Sequence, residues 1–357
     1  MTETYVIVPE VDAPAGELLR VEGLSVNFPT EDGVVQAVRG VDFTLHEREV
    51  LGIVGESGSG KSVSAMAIMG LLPKTARISG EVYYRGDDIL TMRPRDQRDL
   101  RGRKISMIFQ DPMTAFNPVY TIGDQLAEAV LAHELMPRKK AMARAEEMLA
   151  LVNIPQPKER LQSYPHEFSG GMRQRAMIAM AIINNPDIII ADEPTTALDV
   201  TVQAQILETL NEVKDAVNAA VILITHDLGV IAGTADRVLV MYAGKPVEVA
   251  DTDPLFEKPR MPYTAGLMGS IPALEQSAGA SERLRPIMGA PPSLINLPSG
   301  CPFSPRCPLA TDICRTEEPP LAATDEPEHV AACHHWQKLA EVDDPTQFFR
   351  AEGEVVR

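Results

Sequence analysis

The stretch that most constrains this 357-residue chain runs from Val50 to Leu72. Val50-Leu51-Gly52-Ile53-Val54 is a short apolar run bounded by charge, and such a run forms a strand buried on both faces. Gly55-Glu56-Ser57-Gly58-Ser59-Gly60-Lys61-Ser62 follows. Beyond it, Val63 to Leu72 is rich in Ala, Met, Ile and Leu and stops before Pro73, which predicts a buried helix ended by the proline. Strand, glycine loop and helix in that order is the setting in which G-x-x-x-x-G-K-[ST] cradles phosphate. Gly55, Gly58 and Gly60, with Ser57 and Ser59 between them, let backbone N–H groups turn inward on an anion, and the helix start adds positive potential. Lys61 is then expected to reach the β- and γ-phosphates, and the Ser62 hydroxyl to ligate Mg²⁺. A chance glycine turn ahead of a core helix is the competing reading, and the flanking elements argue against it.

Upstream, residues 18–54 alternate apolar and polar positions with a turn signal at Thr30-Glu31-Asp32-Gly33, the pattern of paired strands. Phe28, just before that turn, suits either a base-stacking aromatic or ordinary strand core. Downstream, Gly80 to Leu90 reads as strand and turn, Arg93 to Lys104 as a solvated charged helix, and Ile105 to Phe109 as a buried strand ending at Gln110-Asp111-Pro112. A strand-end glutamine reaches a metal or a water at the carboxyl edge of an open α/β sheet, where ligands gather. By itself it would be a turn residue. From Ile122 to Leu161 the spacing of Leu, Ala and Met becomes helical, over Gly123–Glu134 and Arg138–Val152, which marks a helical insert. Ser169 stands where a helix N-cap belongs, ahead of Gly170, Gly171 and a deeply apolar helix over Arg173–Asn184. Two glycines weaken a helix start unless something approaches the backbone closely.

Asp187-Ile188-Ile189-Ile190-Ala191-Asp192-Glu193-Pro194 is the second strong signal. An aliphatic strand that ends on two adjacent carboxylates has no packing purpose, because burying paired charge is costly. Asp192 fits a carboxylate that holds Mg²⁺, and Glu193 a base that polarises an attacking water. Val221 to Asp227 is a further buried strand, ending on His226. A single strand-end histidine is usually structural, but this is the third polar group delivered to one sheet edge.

These residues resemble the ATP-binding subunits of ABC transporters. Gly55–Ser62 is similar to the Walker A motif, Gln110 to the Q-loop, Asp192 and Glu193 to the Walker B pair, and His226 to the switch histidine. Phe168-Ser169-Gly170-Gly171-Met172 resembles the signature motif, departing from Leu-Ser-Gly-Gly-Gln at its first and last positions. Ala197-Leu198-Asp199 matches the D-loop, and Phe28 takes the place of the adenine-stacking aromatic. Tyr164-Pro165-His166-Glu167, Met261-Pro262-Tyr263-Thr264, Gly289-Ala290-Pro291-Pro292 and Leu297 to Pro308 narrow the resemblance to the oligopeptide/dipeptide/nickel importer ATPases. The resemblance implies an α/β fold: a P-loop ATPase core with a mostly parallel sheet, an antiparallel N-terminal sheet, a helical insert and a small cysteine-containing C-terminal extension. Glu193, His226, Gln110 and Lys61 become the expected catalytic residues. Phe28, Gly55, Ser57, Gly58, Ser59, Gly60, Lys61 and Ser62 become the expected nucleotide site, taking ATP and Mg²⁺. It also implies two transmembrane permease subunits, an external substrate-binding protein and a second ATPase subunit, with a related chain favoured and an identical copy as the competing reading. With a single phosphate loop and a single signature helix in the chain, Ser169, Gly170 and Gly171 can touch a γ-phosphate only across a head-to-tail pair of ATPase subunits.

The expected organisation is an N-terminal tail (1–17), a nucleotide-binding domain (18–255, with the insert at about 112–168) and an extension (256–357). A formal net charge of −17 argues against a nucleic-acid partner. Met1 to Gly16 lacks the basic and apolar regions of a signal peptide, and no apolar run approaches the ~20 residues of a spanning helix. The expected location is therefore the cytoplasmic face of the cell membrane, reached through the permease subunits. All four cysteines lie in the spacing Cys301-x5-Cys307-x6-Cys314-x18-Cys333, in a proline-rich stretch with little apolar content of its own. A shared metal centre is expected to supply the missing constraint: a 4Fe-4S cluster first, zinc second with His329, His334 or His335 as substitutes, and unrelated buried thiols third. Peptide import is the first functional reading. Nickel or other small-solute import, a soluble ABC ATPase outside transport and a non-catalytic regulatory subunit are the alternatives.

Overall fold

The computed structural model describes residues 16–196, 198–270 and 287–349. Its core is an eight-stranded sheet in the order β11-β12-β10-β9-β3-β8-β7-β6. The strands are β3 Val50–Val54, β6 Ile105–Ile108, β7 Ile188–Asp192, β8 Ala220–Thr225, β9 Arg237–Tyr242, β10 Lys245–Asp251, β11 Ala322–Ala323 and β12 Val330–Ala331. From β6 to β9 the pairings are parallel, and β10, β12 and β11 add an antiparallel edge. Strands β3, β6, β7 and β8 are buried at every residue. The reason is visible in how their side chains divide: Leu51, Ile53, Ile188, Ile190, Ile222 and Ile224 enter one apolar core, while Val50, Val54, Ile189, Ala191, Val221 and Leu223 enter the other. Covering both faces removes any need for polar alternation, so these strands read as continuous apolar runs.

The second core lies under a four-stranded antiparallel sheet in the order β2-β1-β4-β5: β1 Glu17–Thr30, β2 Gly33–His46, β4 Arg77–Tyr84 and β5 Asp87–Asp88. The turn signal at residues 30–33 closes the β1–β2 hairpin, with Thr30 opposite Gly33. On the other face sit the helices of the insert, Ile122–Leu131 and Arg138–Leu151. They bury Ile122, Leu126 and Val130, and Ala141, Ala145 and Leu149, spaced four apart along one helix face. Thr121 caps the first, its hydroxyl accepting from the Asp124 N–H at 3.2 Å. The helix after the phosphate loop spans Lys61–Ile68 and stops short of Pro73. Gly70, at φ +60°, reverses the chain: the Gly70 N–H donates to the Ala67 carbonyl and the Leu71 N–H to the Met66 carbonyl. Glycine, not proline, ends this helix.

The extension joins the eight-stranded sheet, since Glu248 and Val249 of β10 pair with Ala331 and Val330 of β12. Phe303, Tyr263, Met261 and Ala332 belong to the same apolar core as the insert helices.

Candidate active site

Parallel strands place their carboxyl ends side by side, so the residues after β3, β6, β7 and β8 share one edge. The phosphate loop leaves β3 through Gly55, where a Cβ would overlap the Met241 carbonyl oxygen. It enters the helix at Gly60, whose φ of +104° and close approach to the Ala37 carbonyl exclude a side chain. Lys61, 4% exposed, donates from Nζ to the carbonyls of Gly55 (2.6 Å) and Glu56 (3.0 Å). Burial lowers its pKa, opposed by the nearby Glu193, Asp192 and Glu56 carboxylates.

The Ser62 hydroxyl donates to Asp192 Oδ1 at 2.8 Å. Burial raises the Asp192 pKa, and the Ser62 bond holds part of that rise back. Next along the chain, Glu193 has φ +47°, a left-handed backbone that few non-glycine residues adopt. Its N–H donates to the Ile224 carbonyl of β8 at 2.9 Å, which fixes the turn. Three groups converge on Glu193 Oε2: Gln110 Nε2 at 3.1 Å, Thr196 Oγ1 at 2.8 Å and His226 Nδ1 at 3.4 Å. Backbone strain held in place by surrounding bonds is a mark of a functional position. Thus Lys61, Ser62, Asp192, Glu193, Gln110 and His226 stand together, drawn from four strand ends. Thr196 was not expected. Its signal is local, a hydroxyl three residues past Glu193 in a turn closed by the Thr196 N–H on the Glu193 carbonyl.

The residues fit a phosphate-bearing ligand with its metal. Ser59 Oγ is buried with no hydrogen-bond partner inside the loop, and the Gly60 N-cap offers no side chain to occupy the helix start. The Ser62–Asp192 pair supplies hard oxygen donors suited to Mg²⁺. Phe28 stands opposite Val35 on the β1–β2 hairpin, half-buried against the core below that sheet.

Ser169 caps the helix Gly170–Ile182, its hydroxyl accepting from the Met172 N–H at 3.3 Å. Ser169 and Gly170 are exposed. The close approach that the glycine pair called for is partly internal: a Cβ on Gly171 would press on Val202 Cγ1 at 2.9 Å. Of the D-loop match, Leu198 and Asp199 are described, with Asp199 capping the helix Val200–Val217, while Ala197 lies outside the described residues.

The iron–sulfur expectation for the cysteines is overturned, and zinc with it. Among the described residues, no group of three or more His, Cys, Asp or Glu side chains is arranged to hold a metal ion. All four cysteines are free thiols. Burial pushes Cys307 and Cys333 up to about 12 and raises Cys301, so these are neutral groups, and all three pack on the main apolar core. The histidines offered as substitutes bond elsewhere: His329 Nε2 to Glu248, His334 Nε2 to the Glu317 carbonyl and His335 Nε2 to Thr311. The extension needs no metal to stand in for a core because it uses the core of the catalytic domain.

Two family models match this chain: the ABC transporter model over residues 38–196, and the C-terminal region of oligopeptide/dipeptide transporters over residues 247–314. The dipeptide transport ATP-binding protein DppD of Bacillus subtilis is 54% identical over 300 residues, covering 84% of this chain and 89% of the relative. The chain belongs to the ABC transporter ATP-binding family. The oligopeptide transport ATP-binding protein OppD of Salmonella typhimurium is 50% identical over 333 residues, 93% of this chain and 97% of the relative. OppD of Mycobacterium tuberculosis is 53% identical over 319 residues, 88% of this chain, but this chain spans only 51% of that longer relative. Among solved structures, the ATP-binding cassette MJ0796, in a dimeric post-hydrolysis state bound to ADP and Pi, superposes with a TM-score of 0.59 at 26% identity, covering 66% of this chain and 99% of that one. Among the described residues, no helix is long and apolar enough to cross a membrane.

Proposed function

We propose that this chain is the ATP-hydrolysing subunit of an ABC importer for di- and oligopeptides. It works from the cytoplasmic face of the cell membrane through two permease subunits and an external substrate-binding protein. The convergence of Gln110, Thr196 and His226 on Glu193, one residue from the Ser62–Asp192 pair, carries the reading. In this reading Glu193 takes the proton of the attacking water, and Gln110 and His226 orient it. Lys61 pairs with the β- and γ-phosphates, Ser62 and Asp192 hold Mg²⁺, Phe28 stacks on the adenine, and Gly55 to Gly60 present backbone N–H groups with Ser57 and Ser59. Mg²⁺ held by Ser62 and Asp192 would supply positive charge to offset that of the phosphate oxygens.

Ser169, Gly170 and Gly171 serve the nucleotide of a second subunit, related rather than identical, and that subunit returns the same service. Their exposure at a capped helix start supports this role. The division into a tail (1–17), a cassette (18–255) and an extension (256–357) belongs to the same reading. The peptide class rests on the names of the relatives and on the match over residues 247–314. The test is reconstitution with the permease subunits in vesicles and measurement of labelled dipeptide uptake with Mg·ATP. Uptake that stops with ATP removed is expected. Mg·ATP hydrolysis without any peptide movement would overturn the importer assignment.

A further inference from the structure

Glu56, the second residue of the phosphate loop, is held by the C-terminal extension from two directions. Its backbone N–H donates to the Tyr263 hydroxyl at 2.7 Å. Its carboxylate accepts both terminal nitrogens of Arg306, Nη1 at 2.6 Å and Nη2 at 2.8 Å. Its carbonyl accepts from Lys61 Nζ, so every polar group of this residue is engaged. Arg306, with a side chain 5% exposed, also donates from Nε to the Met288 carbonyl and from Nη1 to the Tyr242 hydroxyl. Tyr242, Tyr263 and Phe303 pack ring against ring at 4.5–5.4 Å, and the guanidinium lies 5.9 Å from the centroids of Tyr242 and Phe303. This box joins the end of β9, the helix Pro262–Met268 and the cysteine-bearing segment to one loop residue.

Burying a guanidinium–carboxylate pair is a poor way to gain stability, since desolvation consumes most of the attraction. Met261, Tyr263 and Phe303 already pack the extension onto the main apolar core. What the bidentate pair adds is geometry, a fixed position and orientation for the first turn of the loop. We propose that Arg306 and Tyr263 are positioning residues for the phosphate loop, so that the docked extension sets the affinity of the nucleotide site. This inference rests on the reading that residues 55–62 bind nucleotide.

The test uses the full chain and titration calorimetry with Mg·ATP and Mg·ADP. Arg306→Met should weaken Mg·ATP binding about tenfold, a change of about 1.4 kcal/mol. Arg306→Lys, which keeps the charge without the fork, should recover part of the loss. Tyr263→Phe should weaken binding about threefold. Because Arg306 acts through Glu56, the double variant Glu56→Gln/Arg306→Met should bind no more than twofold worse than Arg306→Met alone. In steady-state hydrolysis the loss should appear in KM rather than kcat. Binding within twofold of wild type in both Arg306→Met and Tyr263→Phe, or losses that multiply in the double variant, would overturn the proposal. If Arg306→Met does not fold, Glu56→Gln and Tyr263→Phe carry the same test on their own. A wild-type chain that binds no Mg·ATP would sink the nucleotide reading itself, whereas wild-type binding with indifferent variants would sink only this inference.

Discussion

The carboxyl edge of the parallel sheet and the extension packed beside it treat buried charge in opposite ways. At the sheet edge burial works against charge: it lowers Lys61 and raises Asp192, while Glu193, in a left-handed backbone, is met by the Gln110 amide, the Thr196 hydroxyl and His226 rather than by an arginine. In the extension the charges are matched. Arg306 meets Glu56 through both terminal nitrogens, and Arg260, 1% exposed, meets Asp325 through Nε and Nη2 at 2.8 and 2.7 Å. His329 Nε2 also lies 2.7 Å from Glu248 Oε1, although Glu248 Oε2 and His329 Nδ1 are buried with no hydrogen-bond partner. A matched pair holds two elements in register. An unmatched cluster is stabilised by what binds to it, which is why the first reads as scaffold and the second as a site.

The sharpest way to break that contrast is at Glu193. Glu193→Gln should cut phosphate release about 10³-fold, the scale of a lost general base, and should trap an ATP-bound pair of subunits detectable by gel filtration. Hydrolysis at the wild-type rate would remove Glu193 from the role of base. A smaller loss, about 10²-fold, is expected for Ser169→Arg, which obstructs the surface offered to the second subunit. Its binding of Mg·ATP as an isolated chain should stay within twofold, and unimpaired turnover would argue that one molecule suffices.

Asp192 sharpens the contrast through pH. Its folded pKa is raised above 3.8, so the folded state keeps the proton to higher pH than the unfolded chain does. Ionisation therefore costs stability, and this cost is absent below pH 3.8 and full once pH exceeds the raised value. Asp192→Asn should raise the Tm of nucleotide-free protein at neutral pH by about 2 °C and lose the gain as pH falls towards 3.8. A drop in Tm at neutral pH would show that the site is compensated after all. Asp325 runs the other way and gives the smallest effect. Arg260 holds its carboxyl at about 2, so the pair stabilises the fold above pH 3.8 and stops doing so as pH falls to about 2. Solvent at a carboxylate 45% exposed limits the cost of Asp325→Asn to about 1 kcal/mol or less at neutral pH. Urea titrations at pH 7 and pH 2.5 should show that cost shrinking.

Most of the site could be read in the chain because the chemistry stands at the ends of aliphatic runs. Asp192, Glu193, Gln110 and His226 each end or follow a strand with no polar alternation, and parallel packing brings such ends together. The antiparallel hairpin and the insert helices were legible from period alone. Three things were not. The helix at Lys61 ends at Gly70 because a left-handed glycine satisfies its carbonyls, which Pro73 had masked. Thr196 reaches Glu193 only through the shape of a turn. The cysteines form a local pattern in sequence, but the surrounding apolar core makes them packing groups.

Local order along the chain determined the parallel core, the phosphate loop and the polar edge, since each depends on spacing within one strand, turn or helix. Only the tertiary structure decided that the extension shares the catalytic core, adds strands to its sheet and grips Glu56 from residues far along the sequence. Spacing within a segment carries information about its own faces. It carries none about which distant side chain will be pressed against them when apolar surface is withdrawn from water.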